Sequence, residues 1–208
     1  MQSNIQSVAG LDAQIMGSRR ARLAHGFTLV EFGVVLVLVA IVAIYSIPRV
    51  DAYLIDGKVP KVADDLRRFM ARSRVNGAAA ADPNVAFQSG TQRAFALALN
   101  GSTTLSSNTT TFVVQHNLGS GGVVRYSPSD GGRGYTLTLD KVHNIACAPL
   151  TGILARDASK ISINGQELKN TETPVNFNAT NADAACVEGE ANTIVFTVGN
   201  YEISAGSK

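Results

Sequence analysis

The sequence predicts an α+β chain: one long N-terminal helix, apolar in its first half and amphipathic in its second, packed on a mostly antiparallel β-sheet. Three observations predict it. The stretch "GFTLVEFGVVLVLVAIVAIYSIPRV", residues 26–50, is an apolar run interrupted by one carboxylate, Glu31. After it Ile55, Val59, Val62, Leu66, Phe69 and Ser73 recur at three- or four-residue spacing, which places them on one helix face. From about Phe87 the composition shifts toward Thr, Ser, Gly, Asn and β-branched residues, in short runs separated by turn-rich pieces.

As a helix, Phe27–Pro48 extends about 33 Å, against a bilayer hydrocarbon core of about 30 Å, so it suffices for one membrane crossing. The polar residues before it end in the basic cluster "RRARLAH". That order differs from a secretory signal peptide, and it predicts a cytoplasmic N-terminus with the C-terminal domain outside. Asp64, Asp65, Arg67, Arg68, Arg72 and Arg74 fall off the apolar stripe of the second half, and interleaved signs mark a solvated or subunit-facing surface. Pro60 removes a helix hydrogen bond, so a bend or short break is expected near "DGKVP". "NGAAAADP" then ends the helix.

The candidate strands are "RAFALAL", "TFVVQH", "GVVRYS", "GYTLTLD", "KISIN" and "NTIVFTV"; the alanines and leucines of the first also suit a helix. "GSTTLSSN", "GSGG" and "SPSDGGRG" read as turns. Between Cys147 and Cys186 the pattern gives a short helix at Leu150–Ala155, a hairpin-like "ISINGQEL" and a polar loop. The two cysteines lack CxxC spacing. In an exported domain a disulfide is their natural reading, closing a loop of roughly 40 residues and contributing on the order of 4 kcal/mol. Two unpaired buried thiols are the alternative.

The 208 residues, 45% hydrophobic and 16% charged, accommodate one ordinary domain plus an apolar segment. Formal net charge is +2, with Arg19, Arg20 and Arg22 against Asp12 ahead of the apolar run, so acids and bases balance from Phe27 onward. A neutral body argues against an electrostatic nucleic-acid binder and removes the self-repulsion that opposes packing many copies together. Nothing points to an enzyme, a metal or a cofactor. His25, His116 and His143 have no ligand spacing, no GxSxG, HExxH or P-loop occurs, and "SDGGRG" reads as a turn. His116 and His143 read as surface or strand-end residues. The acceptor patterns "NTT" at 108–110 and "NAT" at 178–180 are ordinary coincidences in an Asn/Thr-rich chain.

"HGFTLVE" with its apolar helix and the spaced Pro48 resembles the type III signal of prepilins and pseudopilins, the type IV filament superfamily. The resemblance implies a leader at 1–26 cut by prepilin peptidase between Gly26 and Phe27, N-methylation of Phe27, and an assembly glutamate at Glu31. It also implies a transmembrane and assembly half at 27–48 bending at Pro48, an amphipathic half at 49–80, and a β-rich pilin head at 81–208 with a disulfide-bounded 147–186 region. The long leader and wide cysteine spacing are most like the type IVb branch, including pilins of conjugative or enteric adherence pili, although Phe27 departs from the other apolar residues with which that branch often begins. The function implied is that of a structural subunit, a major pilin, serving adhesion, aggregation or mating contact. Alternatives are a type II secretion pseudopilin and a minor pilin or tip adhesin. The implied partners are further copies of the chain in a helical filament, the peptidase, the inner-membrane assembly platform, and the membrane before assembly. The precursor would cross the inner membrane once, and the mature chain would reside in an extracellular pilus.

The chemistry fits those residue types. Glycine before the cut lets the chain lie extended in a protease groove. Cutting frees an ammonium on Phe27, a second charge at the head of an apolar helix, where a lone charge costs roughly 2.5 to 3.5 kcal/mol at mid-bilayer. Glu31 then has a partner, within its own helix or on a neighbouring subunit, and pairing at one stagger only makes it a register device. Without an assembly role, Glu31 would be an interfacial residue of a signal anchor.

Overall fold

Tyr135, Leu137 and Leu139 alternate with polar residues along β4 (Gly134–Val142), and all three are fully buried, so one face of this strand is dictated by its period of two. The computed structural model describes residues 28–99, 105–108, 111–173 and 175–199, without the side chains of 46–52. β4 lies at the centre of a seven-stranded sheet in the order β1-β2-β3-β4-β7-β5-β6, antiparallel throughout. The other strands are β1 (Ser106–Asn108), β2 (Val113–Gln115), β3 (Val123–Ser129), β5 (Lys160–Ile163), β6 (Gln166–Asn170) and β7 (Asn192–Gly199).

The chain divides into two units, Met1–Ala43 and Ile44–Lys208. Helix α1 (Leu29–Asp56) begins in the first, where every apolar side chain from Leu29 to Tyr45 that is described is exposed. Among the described residues no helix is long and apolar enough to cross a membrane. The span expected at 27–48 includes Phe27, outside the described residues; α1 runs on through Pro48, where a bend is expected.

The long helix is interrupted at "DGKVP", where a bend or short break is expected, and forms two helices. α1 ends at Asp56, and α2 runs Val59–Ala78 with Pro60 in its first turn. Gly57 N–H donates to Tyr53 O at 3.1 Å and Lys58 N–H to Ile55 O at 2.9 Å, closing α1 with a tightened turn. Proline cannot donate, and its ring collides with the carbonyl four residues back, that of Asp56, so the helix restarts with Pro60 where the missing donor costs nothing. α2 buries Val59, Val62, Ala63, Leu66 and Met70, while Phe69 contacts Tyr135 edge-on at 5.7 Å and Phe95 at 4.8 Å. The amphipathic stripe thus covers the sheet.

"RAFALAL" folds as helix, α3 (Gln92–Ala98), whose N-cap Thr91 accepts the Ala94 N–H at 3.2 Å. The helix anticipated at Leu150–Ala155 begins earlier, as α4 (Asn144–Leu154), with His143 capping it by accepting the Ile145 N–H at 3.3 Å. Pro149 inside α4 forfeits one bond to Ile145, but the buried face of Ala146, Cys147, Leu150 and Leu154 keeps the helix intact. "ISINGQEL" is the β5–β6 hairpin. Its Asn164 and Gly165 both have positive φ, 51° and 83°, the requirement of a two-residue type I′ turn. The polar loop expected before Cys186 contains a further helix, α5 (Ala179–Ala185), capped by Asn178. "SPSDGGRG" turns β3 into β4 through a single 3-10 turn at Asp130–Gly132.

Leu66 has no exposed surface and sits at the centre of the α2 stripe. Leu66→Ala should destabilise the domain by about 2 to 5 kcal/mol in chemical denaturation, whereas Arg68→Ala on the exposed face should change it by no more than about 0.5 kcal/mol.

Candidate functional site

The first turn of α1 is built by four residues. Thr28 precedes the helix, and its Oγ1 accepts the backbone N–H of Glu31 at 3.2 Å, while Thr28 O accepts the Phe32 N–H at 3.0 Å. Thr28 is therefore the N-cap and Glu31 the third helical residue, the T-x-x-E spacing of a capping box. A carboxylate in this turn is favoured by the helix dipole. Glu31 is exposed, as are Leu29, Val30 and Phe32 beside it, and no other charge occurs between Thr28 and Tyr45. Gly26 and Phe27 lie outside the described residues. Thr28 was legible as a cap in "TLVE" but had no role in the sequence reading.

The region between the cysteines is closed in the head. Cys147 in α4 and Cys186 at the C-cap of α5 form a disulfide, bridging a sequence separation of 39. The bridge does not hold this excursion to the sheet alone, because two asparagines share the work. Asn192 at the start of β7 is fully buried; its Nδ2 donates to Val142 O at 3.0 Å and Val187 O at 2.9 Å, and its Oδ1 accepts from Val187 N at 2.8 Å and Asn164 Nδ2 at 3.0 Å. Asn164, in the hairpin turn, donates to Ala185 O at 2.9 Å and accepts the Thr193 N–H at 2.9 Å. Residues on both sides of Cys186 are thereby held to β4, β5 and β7. Nothing in the sequence distinguishes these asparagines from exposed ones.

Of the two positions expected for His116, surface or strand end, it takes the second, just past β2, and it is fully buried there. Its Nδ1 accepts the Leu118 N–H at 3.0 Å, which leaves the proton on Nε2 to donate to Asp140 O at 2.7 Å. A Cβ on Gly122 would collide with the imidazole, so glycine is needed for the close approach. Burial lowers the His116 pKa, an effect only partly opposed by Asp140, whose carboxylate also accepts the Val123 N–H at 2.7 Å and pairs with Arg125 at 2.8 Å. His143 caps α4, and Asn178 caps α5 by accepting from Thr180 N at 2.8 Å. Among the described residues no group of three or more His, Cys, Asp or Glu is placed to hold a metal ion.

Two outcomes follow from this geometry. Asn192→Ala leaves buried backbone groups without partners and should cost on the order of 2 to 4 kcal/mol, comparable with removing the disulfide, as read by thermal melting of oxidised and reduced protein. Because the folded His116 pKa is lowered, its stabilising contribution is fully present above pH 6.5 and declines as pH falls below that value toward the folded pKa. Melting temperature should therefore drop as pH is lowered from 7.5 toward 5, and His116→Gln should flatten that dependence.

Residues 90–199 match the family described as PilS N terminal. A solved structure of a type IVb pilin from Salmonella typhi is similar at 21% identity, covering 67% of this chain and 96% of that one with a TM-score of 0.44. No curated protein matches. The matched stretch exceeds half the chain and takes in α3, α4, α5 and all seven strands. The chain belongs to the PilS N-terminal family of type IV pilins, structural subunits of an extracellular pilus and not enzymes.

Proposed function

We propose that the chain is the major subunit of a type IVb pilus, made as a single-pass inner-membrane precursor, cut between Gly26 and Phe27, methylated on Phe27, and polymerised through its N-terminal helix. The observation that carries this reading is Glu31. It is the one charge at the head of an exposed apolar helix, five residues beyond the cleavage signal when Phe27 is counted as the first. An exposed surface that apolar marks an interaction site, first with lipid and then with other helices. Cleavage supplies the ammonium that a buried carboxylate needs, and a neighbouring copy offers it only at the right stagger. The Thr28 cap keeps the helix start, and so the height of Glu31, defined.

Peptidase and assembly platform are the partners this route requires. The neutral body and the locked head suit close packing of copies, with the head surface left for adhesion, aggregation or mating contact. N-terminal sequencing and intact mass of the mature protein test the processing: methylated Phe27 is expected as the first residue, and an intact Met1 would overturn the reading. Glu31→Ala should leave membrane insertion unchanged while reducing surface filaments, counted by electron microscopy, at least tenfold. Abundant filaments from that variant would remove the assembly role.

A further inference from the structure

The β2–β3 pairing is short. Only Val114 and Gln115 register with Val124 and Val123, while β3 continues to Ser129 along β4. Phe112, next to β2, has φ 52° and its N–H donates to Asn108 O, so the chain turns away before it can accompany the rest of β3. Among the described residues no strand pairs with Arg125–Ser129 on the side opposite β4. Backbone groups of Val124 and Tyr126 point to this same side, because direction alternates along a strand.

The Gln92 side chain meets both of them. Its Nε2 donates to Val124 O at 3.0 Å and its Oε1 accepts the Tyr126 N–H at 2.6 Å. One amide thus occupies an acceptor and a donor of the β3 backbone on this side, and supplies Tyr126 N–H with the acceptor that a neighbouring strand would otherwise offer. Gln92 is the first residue of α3, set in place by the Thr91 cap, and α3 is pressed to this edge by Phe95, which stacks on Tyr126 at 5.9 Å. Farther along, Pro128 has no N–H to offer a newcomer. An open edge of this kind is a template for another chain.

We propose that Gln92 is an edge guard: a side chain that occupies the side of β3 where β2 stops and keeps the edge from Tyr126 onward from pairing with a second copy of this chain. A second copy is the relevant intruder because a pilus subunit is packed among its own kind, and the neutral body gives copies no charge repulsion to keep them apart. A cleft of about 460 Å3 beside Gln92, Phe112, Val113 and Tyr126 leaves room for side chains of such a strand. Gln92 therefore confines self-association to contacts other than sheet extension.

The test uses the purified full-length chain in detergent, with amide hydrogen exchange and size measured over a range of concentrations. Gln92→Ala should accelerate exchange of the Tyr126 amide roughly tenfold or more, leave the β4–β7 amides unchanged, and make size rise with concentration relative to the parent. Gln92→Glu, which is near-isosteric and keeps the acceptor, should leave the Tyr126 amide protected. Adding Ser127→Lys to Gln92→Ala, a charge on the exposed edge, should restore the parental size while Tyr126 still exchanges fast. Unchanged Tyr126 exchange in Gln92→Ala, equal acceleration in Gln92→Glu, a size that does not rise, or association that survives Ser127→Lys would each overturn the proposal.

Discussion

Strand β7 lies between β4 and β5, so the sheet is completed only when the last described strand returns from an excursion that begins at the end of β4. Everything in the head depends on that insertion. Until β7 arrives, β4 has a partner on one side only, and the β5–β6 hairpin has no sheet to join. The entropic cost of bringing such distant segments together is met before their contacts form. Burial of Ile194, Phe196 and Val198 against the core offsets it, and the disulfide and Asn192 restrict the loop at the point where β7 starts.

Four polar side chains do what regular strand pairing does not reach. Asn192 and Asn164 satisfy backbone groups around Cys186, His116 satisfies Leu118 and Asp140 beside the bulge between Leu139 and Val142, and Gln92 satisfies the β3 edge. Each stands where the sheet ladder stops or slips. Buried backbone groups need partners, and a side-chain amide or imidazole supplies them without another strand. The common physical result is a head with few free edges.

The head and the start of α1 answer to opposite rules. In the head apolar residues are inside, whereas from Leu29 to Tyr45 they are outside all round, with Glu31 as the single charge. Such a helix is stable only against lipid or other helices. On the route proposed above the segment would meet both environments in turn, which would account for one carboxylate near its head and none farther along.

The sequence by itself determined what depends on local period and local chemistry. It determined the α2 stripe of Val59, Val62 and Leu66, the break near Pro60, the Asn164-Gly165 hairpin, and the alternation of β4 and β7. "RAFALAL" stayed open between helix and strand because alanine and leucine serve either; packing of Phe95 on Tyr126 and Phe69 chose helix. The early start of α4 was hidden by Pro149, and α5 by its polar, alanine-rich composition. Only the tertiary structure decided the strand order, the burial of His116, and the roles of Asn192 and Gln92. These last depend on which backbone groups the sheet leaves unpaired, a quantity set by partners far away in the chain and carried by no local pattern.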